Sequence, residues 1–232
     1  MASICIIGMG YKPLDSRAKE AVLNSGVILA SGRLFEILKK YEEFEAVKEK
    51  VEVINNVDAT MNFLKIHLGR AGHGPAVILA SGDPLFCGIG RRTLAEFGKD
   101  MVEIIPDLSS LQIAFARIRE PWDDAFLMSL HPGPAGAGAR DPKYRMKDIP
   151  SLLREHEKIG VLTDSENNPA RIAEEILRSD IIRYPRSAVR IYVCERLGYL
   201  EEKITEGSAK DIATMEFREP NVVIILRCAC SK

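Results

Sequence analysis

With 232 residues, 46% hydrophobic and 28% charged, the chain has the composition of a soluble globular protein with room for one large or two modest domains. Its formal net charge of -1 lacks the basic surface that general nucleic-acid binding requires, and no apolar stretch is long enough to span a bilayer. The leading Met-Ala-Ser-Ile-Cys-Ile-Ile-Gly has no basic lead and too short an apolar run for a signal peptide, so it reads as a first strand.

That strand covers residues 4–8. A helix over 15–25 follows, with Ala18, Ala21 and Val22 on one face. Next come a strand at 27–30, a helix at 34–40 and a short strand at 51–54. Met61, Leu64 and Leu68 recur at helical spacing within 58–70. Residues 76–80 are apolar without alternation, which suits a strand covered on both faces. A helix at 89–97, a strand at 102–105 and a helix at 110–117 complete the first half. Strands alternating with helices predict a mostly parallel sheet.

The polar stretch 119–124, with Pro121, predicts a boundary between an N-terminal α/β domain (1–119) and a C-terminal α/β domain (120–232). The second half begins with a strand at 125–130. The Gly/Pro/Ala-rich loop 131–140 is read as functional, because Arg140, Lys143 and Arg145 follow it. A helix at 151–156, a strand at 160–163 and a helix at 169–178 come next. The strand at 188–194 pairs as a hairpin with 199–205, and 221–227 closes a mixed sheet.

Several strand ends carry candidate chemistry. Asp83 follows the strand at 76–80, at the end where open α/β sheets bind ligands. It equally suits the N-cap of a helix with Pro84 in first position, and one carboxylate can serve both ends. In Gly8-Met-Gly10-Tyr-Lys-Pro13 the third glycine of a dinucleotide loop is replaced by Pro13, and no acidic residue ends the second strand, which argues against NAD. Two close glycines still let a ligand approach the backbone. Ser109 or Ser110 can cap the helix that follows, or bond a polar ligand. Segments 162–169, 194–198 and 219–224 are similar strand edges. No Walker loop and no Ser-His-Asp set is present. Cys5, Cys87, Cys194, Cys228 and Cys230 are odd in number, and the terminal Cys-x-Cys lacks a second ligand pair. Reduced cytoplasmic thiols and no metal are expected.

Residues 81–92, Ser-Gly-Asp-Pro-Leu-Phe-Cys-Gly-Ile-Gly-Arg-Arg, resemble the hallmark segment of the tetrapyrrole (precorrin) methyltransferases. The likeness is greatest to the cobalamin-pathway branch that methylates C5 of a precorrin, where most members carry Tyr at the place of Cys87. It continues in family order through 106–111, Leu-Met-Ser-Leu-His at 127–131, Thr163-Asp164, Asn168-Pro169, Glu-Arg-Leu-Gly at 195–198 and Pro-Asn-Val-Val at 220–223. The resemblance implies two α/β domains with the active site in the cleft between them. There S-adenosylmethionine would bind in folded form and leave as S-adenosylhomocysteine.

Carried over by position, the cofactor contacts would be Met9, Gly82, Asp83, Phe86, Ser110 and Leu111, with Leu130, Thr163, Leu197, Asn221 and Val222 from the second domain. His131 would edge the tetrapyrrole; it is a candidate to remove the product proton, and no catalytic residue is assigned. Lys12, Arg17, Arg91, Arg92 and Arg145 are candidate partners for the carboxylates of such a substrate. The resemblance also implies a homodimer. Fused relatives add a domain for C15 that 232 residues do not accommodate, so C15 chemistry is expected on a separate partner. Two segments depart from the family: the first loop, usually Gly-x-Gly-Pro-Gly with an acidic stretch, and residues 133–139.

Overall fold

The computed structural model describes residues 3–131, 144–179 and 189–227. The Gly/Ala-rich stretch, Arg140, Lys143, Cys228 and Cys230 lie outside the described residues. The chain divides into two compact units, which part at Ser109–Ser110.

In the first unit, strands β1 (Ile4–Met9), β2 (Val27–Ala30), β3 (Val51–Val53), β4 (Ala76–Ser81) and β5 (Val102–Ile105) form one sheet in the order β3-β2-β4-β1-β5. Every pairing is parallel. Helices α1 (Ser16–Asn24), α2 (Gly32–Leu38), α3 (Phe44–Val47), α4 (Val57–Leu68) and α5 (Gly90–Phe97) connect the strands. Both faces of its middle strands are covered, which is why β1, β2 and β4 read as apolar runs without alternation. Cys5, Ile7 and Met9 join a core with Leu14, Ala18, Val22 and Leu34, while Ile4 and Ile6 join another with Met61 and Leu64. Side-chain caps fix the helix starts: Asp15 accepts from Ala18 N at 2.9 Å and Asn56 from Ala59 N at 2.9 Å. The short helix α3 and the 3-10 turn after it (Lys48–Lys50) carry no clear periodicity and escape sequence reading.

One of the two roles open to Asp83 falls away here. Helix α5 begins at Gly90, so Asp83 and Pro84 do not start it. Asp83 Oδ1 instead accepts from Leu85 N at 2.8 Å, closing an Asx turn that diverts the chain before the helix. The loop then coils on Pro84, whose carbonyl accepts from Gly90 N at 3.0 Å. A β-carbon on Gly88 would stand 2.6 Å from that carbonyl oxygen.

The second unit opens with α6 (Ser110–Ile118). Its strands β6 (Phe126–Ser129), β7 (Lys158–Leu162), β8 (Val189–Glu195), β9 (Lys203–Ser208) and β10 (Asn221–Arg227) run in the order β6-β7-β10-β8-β9. Only β6 and β7 pair in parallel; the other pairings are antiparallel, so the sheet is mixed. Helices α7 (Ile149–Glu155), α8 (Pro169–Arg178) and α9 (Ala209–Ile212) cover one face through Leu152, Leu153, Ile172, Ile176 and Ile212. Helix α6 packs close to Gly160 of β7, where an added β-carbon would lie 3.2 Å from Phe115 and 3.3 Å from Leu111. That packing groups 110–118 with the second unit, ahead of the polar stretch at 119–124. Lys158 pins that stretch, donating to Pro121 O at 3.1 Å and pairing with Asp124 at 3.2 Å.

Candidate cofactor-binding site

In the first sheet β1 lies between β4 and β5. After β1 the chain leaves toward β2 on one side; after β4 it leaves toward β5 on the other. The C-terminal ends of β1 and β4, paired at Met9 and Ser81, are therefore the topological switch point where open α/β sheets take ligands. Three turns meet there. Gly82 N donates to Met9 O at 3.1 Å, and Asp107 N donates to Gly82 O at 3.2 Å. Gly82 adopts φ 60°, a left-handed conformation, and a β-carbon there would sit 2.8 Å from Leu108 O. Gly8 is tighter still: its β-carbon would lie 1.9 Å from Gly82 O.

Met9, Gly82, Asp83 and Phe86 thus share one end of one sheet. The Met9 side chain is fully buried in the core, so only its backbone faces the turn. Asp83 is half-buried, and among the described residues its Oδ2 makes no hydrogen bond. That oxygen suits the hydroxyl or ammonium donors of an adenosyl amino acid. Two side chains that sequence reasoning left without a role organise this end. Asp107, 8% exposed, accepts from Tyr11 N at 2.9 Å and from Leu108 N at 2.7 Å. Tyr41 donates to Lys12 O at 2.9 Å and accepts from Gly10 N at 3.2 Å. A carboxylate directly after β5 was a readable signal for Asp107; nothing in the sequence marks Tyr41.

The candidates of the second unit also share a sheet end. Leu130 follows β6, Thr163 follows β7, Leu197 follows β8, and Asn221 and Val222 begin the antiparallel β10. Thr163 Oγ1 lies 2.6 Å from Asn221 O and 2.7 Å from Asn221 Oδ1, its single proton shared between them. Asn221 Nδ2 donates to Arg218 O at 3.1 Å. These side chains are engaged with one another and with the Asn221 and Arg218 carbonyls. Glu195, 4% exposed, accepts from Arg218 N at 2.8 Å. Ser110 and Leu111 begin α6, with Leu111 1% exposed.

Asp164 shapes the turn after Thr163. Burial raises its pKa, but donation from the Asn167 amide, the Asn167 side chain and the Glu166 amide outweighs burial and holds the carboxyl below its usual range. A depressed folded pKa means stability that is full above the unfolded value, about 4, and lost as pH falls through the folded value. Asp164→Ala is therefore expected to cost about 1–2 kcal/mol at pH 7. The gap between variant and wild type should narrow toward pH 3 in urea melts.

The basic candidates divide. Arg17 pairs with Glu103. Arg92, mostly buried, pairs with Glu96 at 2.9 Å and Asp58 at 3.4 Å, linking α5 to α4. Lys12 is half-exposed, with its ammonium 3.7 Å from Asp107. Arg91 and Arg145 are exposed. His131 is exposed, its Nδ1 4.0 Å from Asp164. The thiols of Cys5 and Cys194 are pushed up to about 12 by burial and stay protonated near neutral pH. No helix among the described residues is long and apolar enough to cross a membrane.

A parallel α/β unit with a ligand-ready switch point, followed by a mixed α/β unit, defines a two-unit α/β protein without a phosphate-binding glycine loop. Its particular family follows from comparison. The chain belongs to the Tetrapyrrole (Corrin/Porphyrin) Methylases, whose family model it matches over residues 4–213. It is 29% identical over 219 residues to the probable cobalt-precorrin-7 C(5)-methyltransferase of Methanocaldococcus jannaschii, covering 92% of this chain and 93% of that protein. The fold matches the precorrin-6Y methylase of Archaeoglobus fulgidus with a TM-score of 0.68 at 20% identity, over 98% of this chain and 99% of the other. It also matches a uroporphyrin-III C-methyltransferase of Thermus thermophilus complexed with S-adenosylhomocysteine, with a TM-score of 0.67 at 20% identity over 96% of each chain.

Proposed function

We propose that this protein is an S-adenosylmethionine-dependent C-methyltransferase of corrin-ring synthesis, acting at C5 of a cobalt-precorrin-7 or precorrin-6Y type intermediate. The observation that carries the reading is the end-to-end likeness to the archaeal C5 enzyme, which leaves neither unit unmatched. The switch-point turn supports it from the side of chemistry, with Asp83 able to bind a donor-rich cofactor.

Adenosylmethionine supplies an already activated methyl group on a sulfonium. The protein therefore needs no nucleophile of its own, and Cys5 and Cys194, buried and protonated, offer none. Its task is placement. Gly82 and the Met9 backbone form a rigid floor, and Asp83 anchors the cofactor's polar groups. Phe86, Leu130, Leu197 and the backbone of Asn221 and Val222 are the further contacts we assign, with Ser110, Leu111 and Thr163. Holding methyl and ring carbon in line contributes about 7 kcal/mol or more to such a reaction.

We further propose that the protein works in the cytoplasm as a homodimer beside a separate C15 methyltransferase. Cys5, Cys87 and Cys194 are free thiols, in keeping with a reducing compartment. The test is incubation with methyl-labelled adenosylmethionine and candidate precorrins, followed by mass spectrometry and NMR. Label at C5 alone is the expected result. Label at another ring carbon would move the protein to a different branch of its family. Tetrapyrrole binding without label would make it a carrier.

A further inference from the structure

The turn Gly10–Lys12 is held by side chains from two other places in the fold. Gly10 N donates to the Tyr41 hydroxyl, Tyr11 N donates to Asp107 Oδ2, and Lys12 O accepts from Tyr41. In glycine turns that bind phosphates, such amides face the anion; here two of them are already engaged. Beside them stands the half-exposed Lys12 ammonium, which Asp107 Oδ1 faces at 3.7 Å and which can meet an anion. The carboxylate itself is nearly fully buried and reaches both parts of the turn, the backbone at Tyr11 and the charge at Lys12.

We propose that Asp107 is a positioning residue for an anionic, carboxylate-bearing ligand. It fixes the Gly10–Lys12 turn and presents the Lys12 ammonium to a ligand carboxylate, with Tyr41 as the second tether. The substrate class rests on the function proposed above; the tether does not. The backbone bonds that shape the cofactor floor, Gly82 N to Met9 O and Asp107 N to Gly82 O, do not involve the Asp107 side chain. Removing that side chain breaks its bonds to Tyr11 N and Leu108 N, while the two backbone bonds of the floor remain.

Three variants test this, with hydrogen exchange read at the Tyr11 amide and two ligands titrated: S-adenosylhomocysteine and cobyrinic acid, a polycarboxylated corrin probe. Asp107→Ala should speed exchange at Tyr11 and weaken cobyrinic acid binding, each by about tenfold. Its adenosylhomocysteine affinity should stay within about threefold of wild type. Asp107→Asn keeps an oxygen for the Tyr11 amide and should restore slow exchange, while the loss of charge beside Lys12 still alters cobyrinic acid affinity. Tyr41→Phe should speed exchange at Gly10 and loosen the turn from its other side, which keeps the test open if Asp107→Ala folds poorly. Unchanged Tyr11 exchange in Asp107→Ala, or an equal loss of both ligands, overturns the proposal. Failure of the wild type to bind adenosylhomocysteine overturns the methyltransferase reading instead, and the exchange data still decide the tether.

Discussion

Gly8→Ala is expected to lower the melting temperature by roughly 6–12 °C, from a loss of about 3 kcal/mol or more. The added methyl would lie 1.9 Å from Gly82 O and 2.5 Å from Asp107 N, and both are backbone atoms of adjoining turns. Neither can swing aside as a flexible side chain would. To relieve the clash, β1 must separate from the turns that follow β4 and β5, and these are the turns that make the switch point. Cofactor affinity should fall together with stability. Gly32→Ala is the control: that glycine opens α2, and a β-carbon added there would come no closer than 3.6 Å to a non-neighbouring atom. A helical Gly-to-Ala change without a clash should be neutral or stabilise by up to about 1 kcal/mol. Calorimetric melts of the two variants side by side check this, and equal melting temperatures would refute the close approach at Gly8.

The second large effect is on binding. Asp83→Asn should weaken adenosylhomocysteine by about 2 kcal/mol, roughly 30-fold, because a charged hydrogen bond to the ligand is lost. Asparagine still offers an oxygen to Leu85 N, so the Asx turn and the melting temperature should hold. Asp83→Ala removes the turn as well and should bind more weakly than Asp83→Asn. Titration calorimetry distinguishes the outcomes. Wild-type affinity in Asp83→Asn would take its carboxylate out of the site.

How much of this was legible beforehand depended on which physical signal each element carries. The buried strands of the first sheet announce themselves because both faces are covered, so Ile4–Met9 and Ala76–Ser81 need no alternation. Helices with a cap and an apolar stripe, such as Val57–Leu68 behind Asn56, were equally readable. The turn that begins at Asp83-Pro84 was not. Asp83-Pro84 satisfies the local rule for a helix start, yet two glycines pressed against Pro84 coil the chain into a turn first. Local propensity had no access to that packing. The same holds for α6, whose sequence belongs to the first half by alternation while Leu111 and Phe115 pack beside Gly160 of the second unit.

The candidate site divides along a similar line. Asp83 drew attention because a strand end is visible in sequence, whereas Thr163 became a candidate only through the family resemblance. Tyr41 could not be found either way, since its bonds to Gly10 and Lys12 cross from the far end of α2 to the first turn. Arg92 shows the opposite failure. It is basic and lies next to the hallmark segment, yet Glu96 and Asp58 already engage it, and only the packing of α5 on α4 reveals that.

The order in which strands enter the two sheets bears on biosynthesis. β1, the earliest strand, occupies an inner position of its sheet and is available from the outset as a template for β4 and β5. β10, the latest, fills the gap between β7 and β8. Until Asn221 has left the ribosome, a nascent chain carries β7 and β8 with facing edges unpaired, and such edges recruit other chains. The first half is thus fitted to settle during translation, whereas the second depends on a late insertion and is the half for which chaperones would be in demand.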